Sequence, residues 1–420
     1  MIRKVIVGME EVTSNIGRSV VWNTVGTMYY YACQWLITIL AVRIGGYSLA
    51  GYLSLAMTIT NSFYAIAQFG MRQFQVSDLE EKYSDTIYIG SRYISIFVAF
   101  VTCTIYLFLS HYSNVELACT MSYLLLRLVE AFVDVYHGID QKNWRFDIIG
   151  KSLLVRGTIL VLGFWIGLEL IGDLPIVLLI ITTLSLSIVI GYDIRYTKQF
   201  AEVKGTLKDY KIKRLLLECF PIVIFNFLLS TVTLIARDTL QIVEGVERLG
   251  VYASVASPAV IIQLLASVIF NPFVPLFTSY YLEKDNKKFC ILLAKFILFL
   301  LTLLLIAMIG ARFLGEWVLV LIIGSSIRKY MYLLLPVIVC TVVTAVIWLL
   351  SAVMIAIRKT KALLLCTVVG VLISWASSRV FVERYSMNGV SYVIIFSGIV
   401  QVILMLVCCL YTVWRNCDEE

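Results

Sequence analysis

Residues 22–59 read WNTVGTMYYYACQWLITILAVRIGGYSLAGYLSLAMTI, and most of them are apolar or small. On either side of RIGG at 43–46 lies a run of about 20 such residues, enough to cross a hydrocarbon core of about 30 Å at roughly 1.5 Å per helical residue. The stretch therefore reads as two membrane-spanning helices joined by a tight turn. Composition extends the reading to the whole chain: of 420 residues, 60% are hydrophobic and only 15% charged, where a soluble domain carries roughly 25% charged residues.

Working outward from 22–59, hydropathy places spans at 18–42, 46–70, 88–110, 115–138, 150–170, 174–192, 214–236, 250–273, 289–310, 330–350, 360–380 and 388–413. That makes about twelve transmembrane helices. The segment 312–327, LGEWVLVLIIGSS at its centre, is too short to count and is expected to lie in the interface or against the bundle. Residues 1–18 lack the apolar core and small-residue cleavage site of a signal peptide, so the first span is expected to be retained. The longest polar connection, IRYTKQFAEVKGTLKDYKIKR at 194–214, is strongly basic. It divides the chain into a six-helix lobe at 1–200, a basic cytoplasmic linker at 201–213 and a second six-helix lobe at 214–420.

The formal charge of +7 resides in short loops and not in a separate domain, so it reports topology and not nucleic-acid binding. Most of the 34 Lys and Arg fall on one side when the N-terminus is cytoplasmic, which places both termini inside by the positive-inside rule. The ten cysteines are scattered, mostly in apolar segments and never as C-x-x-C, and the only histidines are His111 and His137. No metal and no cofactor is expected. Walker-type, G-x-S-x-G and H-E-x-x-H patterns are all absent, and with loops this short the chain reads as a transporter and not an enzyme.

The two halves carry similar polar faces. Asn23, Thr27, Tyr30, Gln34 and Thr38 follow a spacing of i, i+4, i+7, i+11 and i+15, which is one narrow helical face. Asn226, Ser230, Thr233, Arg237 and Gln241 repeat it, and Tyr52-x-Ser54-x-Ala56 matches Tyr252-x-Ser254-x-Ala256 one span later. A parallel duplication is expected, as in transporters built from repeated bundles.

Charges at membrane depth cost several kcal/mol unless paired or hydrated, so they mark a pathway or a fastener. Span 4 carries Arg127, Glu130, Asp134 and His137 as one stripe, with Arg156 on span 5 as the expected partner. Two readings follow: an ion-pair cluster that fastens helices, or the lining of a watery cavity in which carboxylates bind a coupling ion and arginines an anion. Span 2 adds a face of Asn61, Tyr64, Gln68, Arg72 and Gln75, while Arg43 and Arg237 stand at outer span ends. There a snorkelling or pairing role competes with a ligand role.

Three stretches resemble the polysaccharide (O-antigen, Wzx-type) flippases of the multidrug/oligosaccharidyl-lipid/polysaccharide exporter superfamily. They are 22–59, with Arg43 in the turn and a Gly-x-x-x-x-Gly-Tyr opening; 66–84, IAQFGMRQFQVSDLEEKYS; and 236–277, ARDTLQIVEGVERLGVYASVASPAVIIQLLASVIFNPFVPLF. The resemblance implies two six-helix lobes around a central cavity that opens alternately to each side. It implies a flippase carrying undecaprenyl-pyrophosphate-linked O-antigen or related repeat units to the outer leaflet of a bacterial inner membrane, in lipopolysaccharide or similar surface-polysaccharide biosynthesis. On that reading Arg127, Arg156, Arg72, Arg237 and Arg43 contact pyrophosphate, because planar guanidinium forks match phosphate oxygens. Asn23, Gln34, Gln68 and Asn226 contact sugar hydroxyls, and Glu130 and Asp134 take a coupling H+ or Na+. Expected partners are the lipid-linked oligosaccharide, membrane lipids, and a polysaccharide polymerase with glycosyltransferases. The rivals are a multidrug cation antiporter of the same superfamily, which wants a net acidic cavity, a flippase for the peptidoglycan lipid precursor, which wants an extra pair of spans, and a membrane-embedded polysaccharide polymerase, which wants a large outer loop.

Overall fold

The computed structural model describes residues 2–78, 82–259, 262, 269, 270 and 273–418, with side chains from 18 to 414. Among the described residues every regular element is helical: α1 (Ile2–Gln68), α2 (Met71–Ser77), α3 (Asp85–Leu109), α4 (Asn114–Lys142), α5 (Phe146–Ile171), α6 (Leu174–Ile188), a wide π turn (Val189–Asp193), α7 (Ile194–Thr197), α8 (Lys211–Glu244), α9 (Val246–Ala256), α10 (Val274–Leu282), α11 (Asn286–Ile322), α12 (Leu334–Ala356), α13 (Thr360–Tyr385) and α14 (Met387–Asp418). The chain is an all-α polytopic membrane protein. Nine of its described helices are long and apolar enough to cross a bilayer. Large apolar side chains stand open on their outer faces, among them Phe108 at 80% and Leu170 at 81% exposure. In water such faces would associate; in lipid they are at home.

The first of these segments, Arg18–Ser77, holds two spans, since 60 helical residues would reach about 90 Å. The helix is broken at Gly46, whose φ of 69° and ψ of −167° are open almost only to glycine. Contacts fix the direction of the two arms. Ser19 bonds Asp147 and Tyr29 bonds Thr158, so the first arm runs parallel to α5. Asn61 reaches Arg127 and Arg72 reaches Asp134 and Gln141, so the second arm and α2 run parallel to α4. Replacing Gly46 with Ala is expected to cost on the order of 1–3 kcal/mol, measured as a lowered melting temperature of the purified protein.

α4 falls short of the spanning criterion because it carries its own charges, Glu116, Arg127, Glu130, Asp134 and Asp140. A capping box starts it: Ser113 accepts from the Glu116 amide while Glu116 accepts from the Ser113 amide at 2.7 Å. Two expectations are corrected. Segment 312–327 is no separate short element: α11 continues unbroken to Ile322 and stops before Gly324 at φ 123°, because Gly310 and Gly315 inside it cost only about 1 kcal/mol each, too little to end a helix. The face of span 2 is likewise not one helix. Phe69 and Gly70 take positive φ, and α2 restarts the chain with Arg72 and Gln75. Residues 260, 261, 263–268, 271 and 272 of the expected span 250–273 lie outside the described residues, as does the side chain of Cys417.

By packing, the chain forms two compact units, residues 1–44 with 59–223 and residues 45–58 with 224–420. In the first, Met71, Tyr88, Tyr136, Ile139 and Leu215 form a core, and α5 meets the first arm glycine on glycine, Gly26 against Gly150. Small residues allow that approach where no hydrophobic force draws helices together. The second unit is far more apolar, with Phe277, Phe289, Leu293, Leu349, Leu350, Val353 and Met405 at its centre. Here Gly51 lies against Val246 and Gly250 against Tyr47, a reciprocal crossing of the two segments that open alike in sequence.

Candidate functional site

The charged groups of the first unit gather on α4, where successive turns present Arg127, Glu130, Asp134, His137 and Asp140. The helix delivers them inward, but they do not act as one stripe. Each has recruited its own partners from neighbouring helices.

Glu130 accepts from Arg127 three residues back, from the Tyr30 hydroxyl and from Gln34 at 3.4 Å. Arg127 also donates to Asn61 at 3.2 Å and lies over the Tyr64 ring, 3.8 Å from its centroid, a stacking geometry suited to guanidinium. One turn on, Asp134 holds two arginines, Arg72 at 3.1 Å and Arg92 at 3.0 Å. Arg92 is wholly buried and donates as well to the carbonyls of Ala67 and Gln68, where the helix breaks. Arg72 forks onto Gln141 at 3.1 and 3.2 Å.

Arg156 departs from expectation. It stands on α5 and is 3% exposed, yet among the described residues no carboxylate lies within ion-pair distance, and its Nε has no hydrogen-bond partner in the protein. Its one close aromatic neighbour is the Tyr30 ring, 5.6 Å away. The anticipated pairing of Arg156 with Glu130 or Asp134 is therefore not formed, because Arg127, Arg72 and Arg92 already occupy those carboxylates. Of the four guanidinium groups at 72, 92, 127 and 156, three are held by the carboxylates at 130 and 134, and Arg156 alone has none at ion-pair distance among the described residues.

The remaining anticipated residues are dispersed. Gln34 joins Glu130 and Gln68 donates to Tyr64 at 3.0 Å, whereas Asn23 is half-buried on the first arm beside these groups' helix and Arg43 is exposed. In the second unit Arg237 donates to Thr58 at 3.1 Å and stands 5.9 Å over Tyr252, and Asn226 is exposed on α8. Arg92 was not anticipated, although an arginine inside YIGSRYISIFVAF at 88–100 is a clear signal. Asp193 was masked by the basic run that follows it. It accepts from His137 across 3.1 Å and from Ser152 at 2.9 Å, all three buried.

No family profile matches the chain. It is 24% identical over 296 residues to the capsular polysaccharide biosynthesis protein CapF of Staphylococcus aureus, covering 70% of this chain and 74% of that one. Among solved structures it resembles a multidrug resistance MATE family transporter of the MOP superfamily in an inward-facing conformation, with a TM-score of 0.71 at 14% identity over 96% of this chain and 99% of the other. It also resembles a MOP superfamily transporter from Pyrococcus furiosus described as having a binding pocket of reverse polarity, with a TM-score of 0.60 at 16% identity and 96% of each chain covered. The chain thus has the fold of the MOP superfamily transporters.

Proposed function

We propose that this chain is a flippase that carries undecaprenyl-pyrophosphate-linked oligosaccharide, an O-antigen or related repeat unit, across a bacterial inner membrane by alternating access, with both termini cytoplasmic. The observation that carries the reading is Arg156, a buried guanidinium with no carboxylate at ion-pair distance among the described residues. A buried charge left unpaired costs several kcal/mol, a cost that makes sense where an anion arrives to offset it. Pyrophosphate has the charge and the paired oxygens a guanidinium fork fits. The likeness to CapF supports a role in surface polysaccharide assembly, and with it a lipid-linked substrate handed on to a polymerase.

In this scheme Arg156 and Arg127 take the pyrophosphate first, while Arg72, Arg237 and Arg43 are further candidate phosphate contacts. Gln34, Gln68, Asn23 and Asn226 offer hydrogen bonds to sugar hydroxyls, which cannot cross hydrocarbon unsatisfied. Glu130 and Asp134, anticipated as coupling-ion sites, hold the arginines in place. A multidrug antiporter is the second reading, favoured by the MATE likeness. The buried Arg156, with no carboxylate at ion-pair distance among the described residues, counts against a cationic cargo.

Arg156→Ala is expected to leave membrane abundance near normal, because no ion pair is broken, and to reduce the surface polysaccharide ladder in the native host at least tenfold while lipid-linked units build up inside. Arg127→Ala is expected to act likewise with some loss of abundance, since it strips Glu130 of its cation. An intact ladder after deletion of the whole gene would refute the flippase and point to drug efflux.

A further inference from the structure

Glu130 and Asp134 are poor places to exchange a proton. Each is already engaged by arginine, and protonating either breaks a buried pair. Below them on α4 lies a second cluster of a different kind. His137 is 3% exposed and Asp193 and Asp140 are fully buried. Among the described residues none of the three has a Lys or Arg within ion-pair distance. Asp140 accepts only from Thr197, at 2.8 Å, and its second carboxylate oxygen has no partner in the protein. Beside the cluster, Gln75 is buried with both amide atoms unpartnered, packed against the bare backbone of Gly138.

The backbone builds this arrangement deliberately. α6 loosens into the π turn at Val189–Asp193, and π turns recur at functional sites because the extra residue redirects a side chain. Here the turn ends on Asp193, which meets His137 Nε2 at 3.1 Å and Ser152 Oγ at 2.9 Å. Thr197, one turn later, ties Asp140 to the carbonyl of Asp193 at 2.9 Å. Two buried carboxylates and one imidazole, with no arginine at ion-pair distance among the described residues, favour taking up a proton over holding every carboxylate ionised beside a neutral imidazole.

We propose that His137, Asp193 and Asp140 form a proton-binding site, distinct from the arginine-held carboxylates, that loads and releases the proton coupled to transport; this rests on the transporter reading above. Ionised Asp193 fixes the Nε2–H tautomer of His137 and leaves Nδ1 as the atom that takes the proton. The added charge is held by Asp193, so no arginine pair is broken. The other charged and titratable groups that act on the site are Arg72 on α2, Arg156 on α5, Arg145 after α4 and Tyr192 in the π turn, with the Arg92–Asp134 pair one to two turns back along α4. Arg72 and Arg156 border the anion cluster too, so anion binding at one site and proton binding at the other are electrostatically linked.

Only two histidines exist, and His111 is exposed in a loop. In the full chain carrying His111→Gln, labelled with 15N-histidine in lipid nanodiscs and scanned from about pH 5 to 9, His137 is expected to change protonation state, and Asp193→Asn to displace that change. A His137 signal that keeps one protonation state over that range overturns the site. In liposomes with trapped pyranine and undecaprenyl pyrophosphate as probe, the wild type is expected to couple probe movement to a lumenal pH change, and His137→Gln to lower that proton flux at least tenfold. Probe movement with no pH change in the wild type also overturns the site but leaves the flippase standing. Proton flux driven by ethidium and not by the probe, with a titrating His137, keeps the site and refutes the lipid-linked substrate.

Discussion

Asp134→Ala is expected to remove about 3–5 kcal/mol of stability, the scale set by stripping one partner from a buried ion pair. Asp134 neutralises two arginines at once, and one of them, Arg92, has no exposure at all. Once the carboxylate is gone, Arg72 still keeps Gln141, but Arg92 is left with two carbonyls and an uncompensated charge. The loss should appear as poor membrane abundance and a melting temperature lower by many degrees. The double variant Arg92→Leu with Asp134→Leu should recover much of it, because an apolar pair of similar volume carries no desolvation cost. If Asp134→Ala melts with the wild type, this cluster does not hold the first unit together.

Gly250→Val is expected to be comparably damaging in the second unit, for a reason unrelated to charge. A Cβ at 250 would overlap the carbonyl oxygen of Tyr47, and one at Gly51 would overlap that of Val246. Backbone cannot step aside as a side chain can, so the helices must separate and lose contact along their length. We expect little folded protein for Gly250→Val and a partial loss for Gly51→Ala by size-exclusion profile and thermal melting. Gly310→Ala is the control: nothing lies within 4 Å of its Cβ position, and in a helix the change should be neutral or stabilising by roughly 0.5–1 kcal/mol. Equal damage at 250 and 310 would show that the close crossing is not what matters.

The sequence alone was enough for the solvent and the class of fold. Runs of about 20 apolar residues leave helices as the only way to satisfy every backbone group in lipid, and the edges of α3, α5 and α13 fall within a few residues of those read from hydropathy. It also pointed to α4 as the helix with buried charges, since Arg127, Glu130 and Asp134 could not be lipid-facing. Where it failed, one helix was read without its neighbours. The stripe on α4 looked like a single unit with Arg156 as partner, yet Arg72 and Arg92 arrive from α2 and α3 and take Asp134. A helix-wheel argument carries no information on which opposing side chain is nearest, and an ion pair is decided over 3 Å. The π turn that brings Asp193 to His137 was equally invisible, because IVIGYDIRY has no residue that demands a wide turn and the register shift is set by packing against α4 and α5. Hydropathy is a sum over residues and survives in one dimension; the partner of each buried charge is a choice among helices, and only the folded chain makes it.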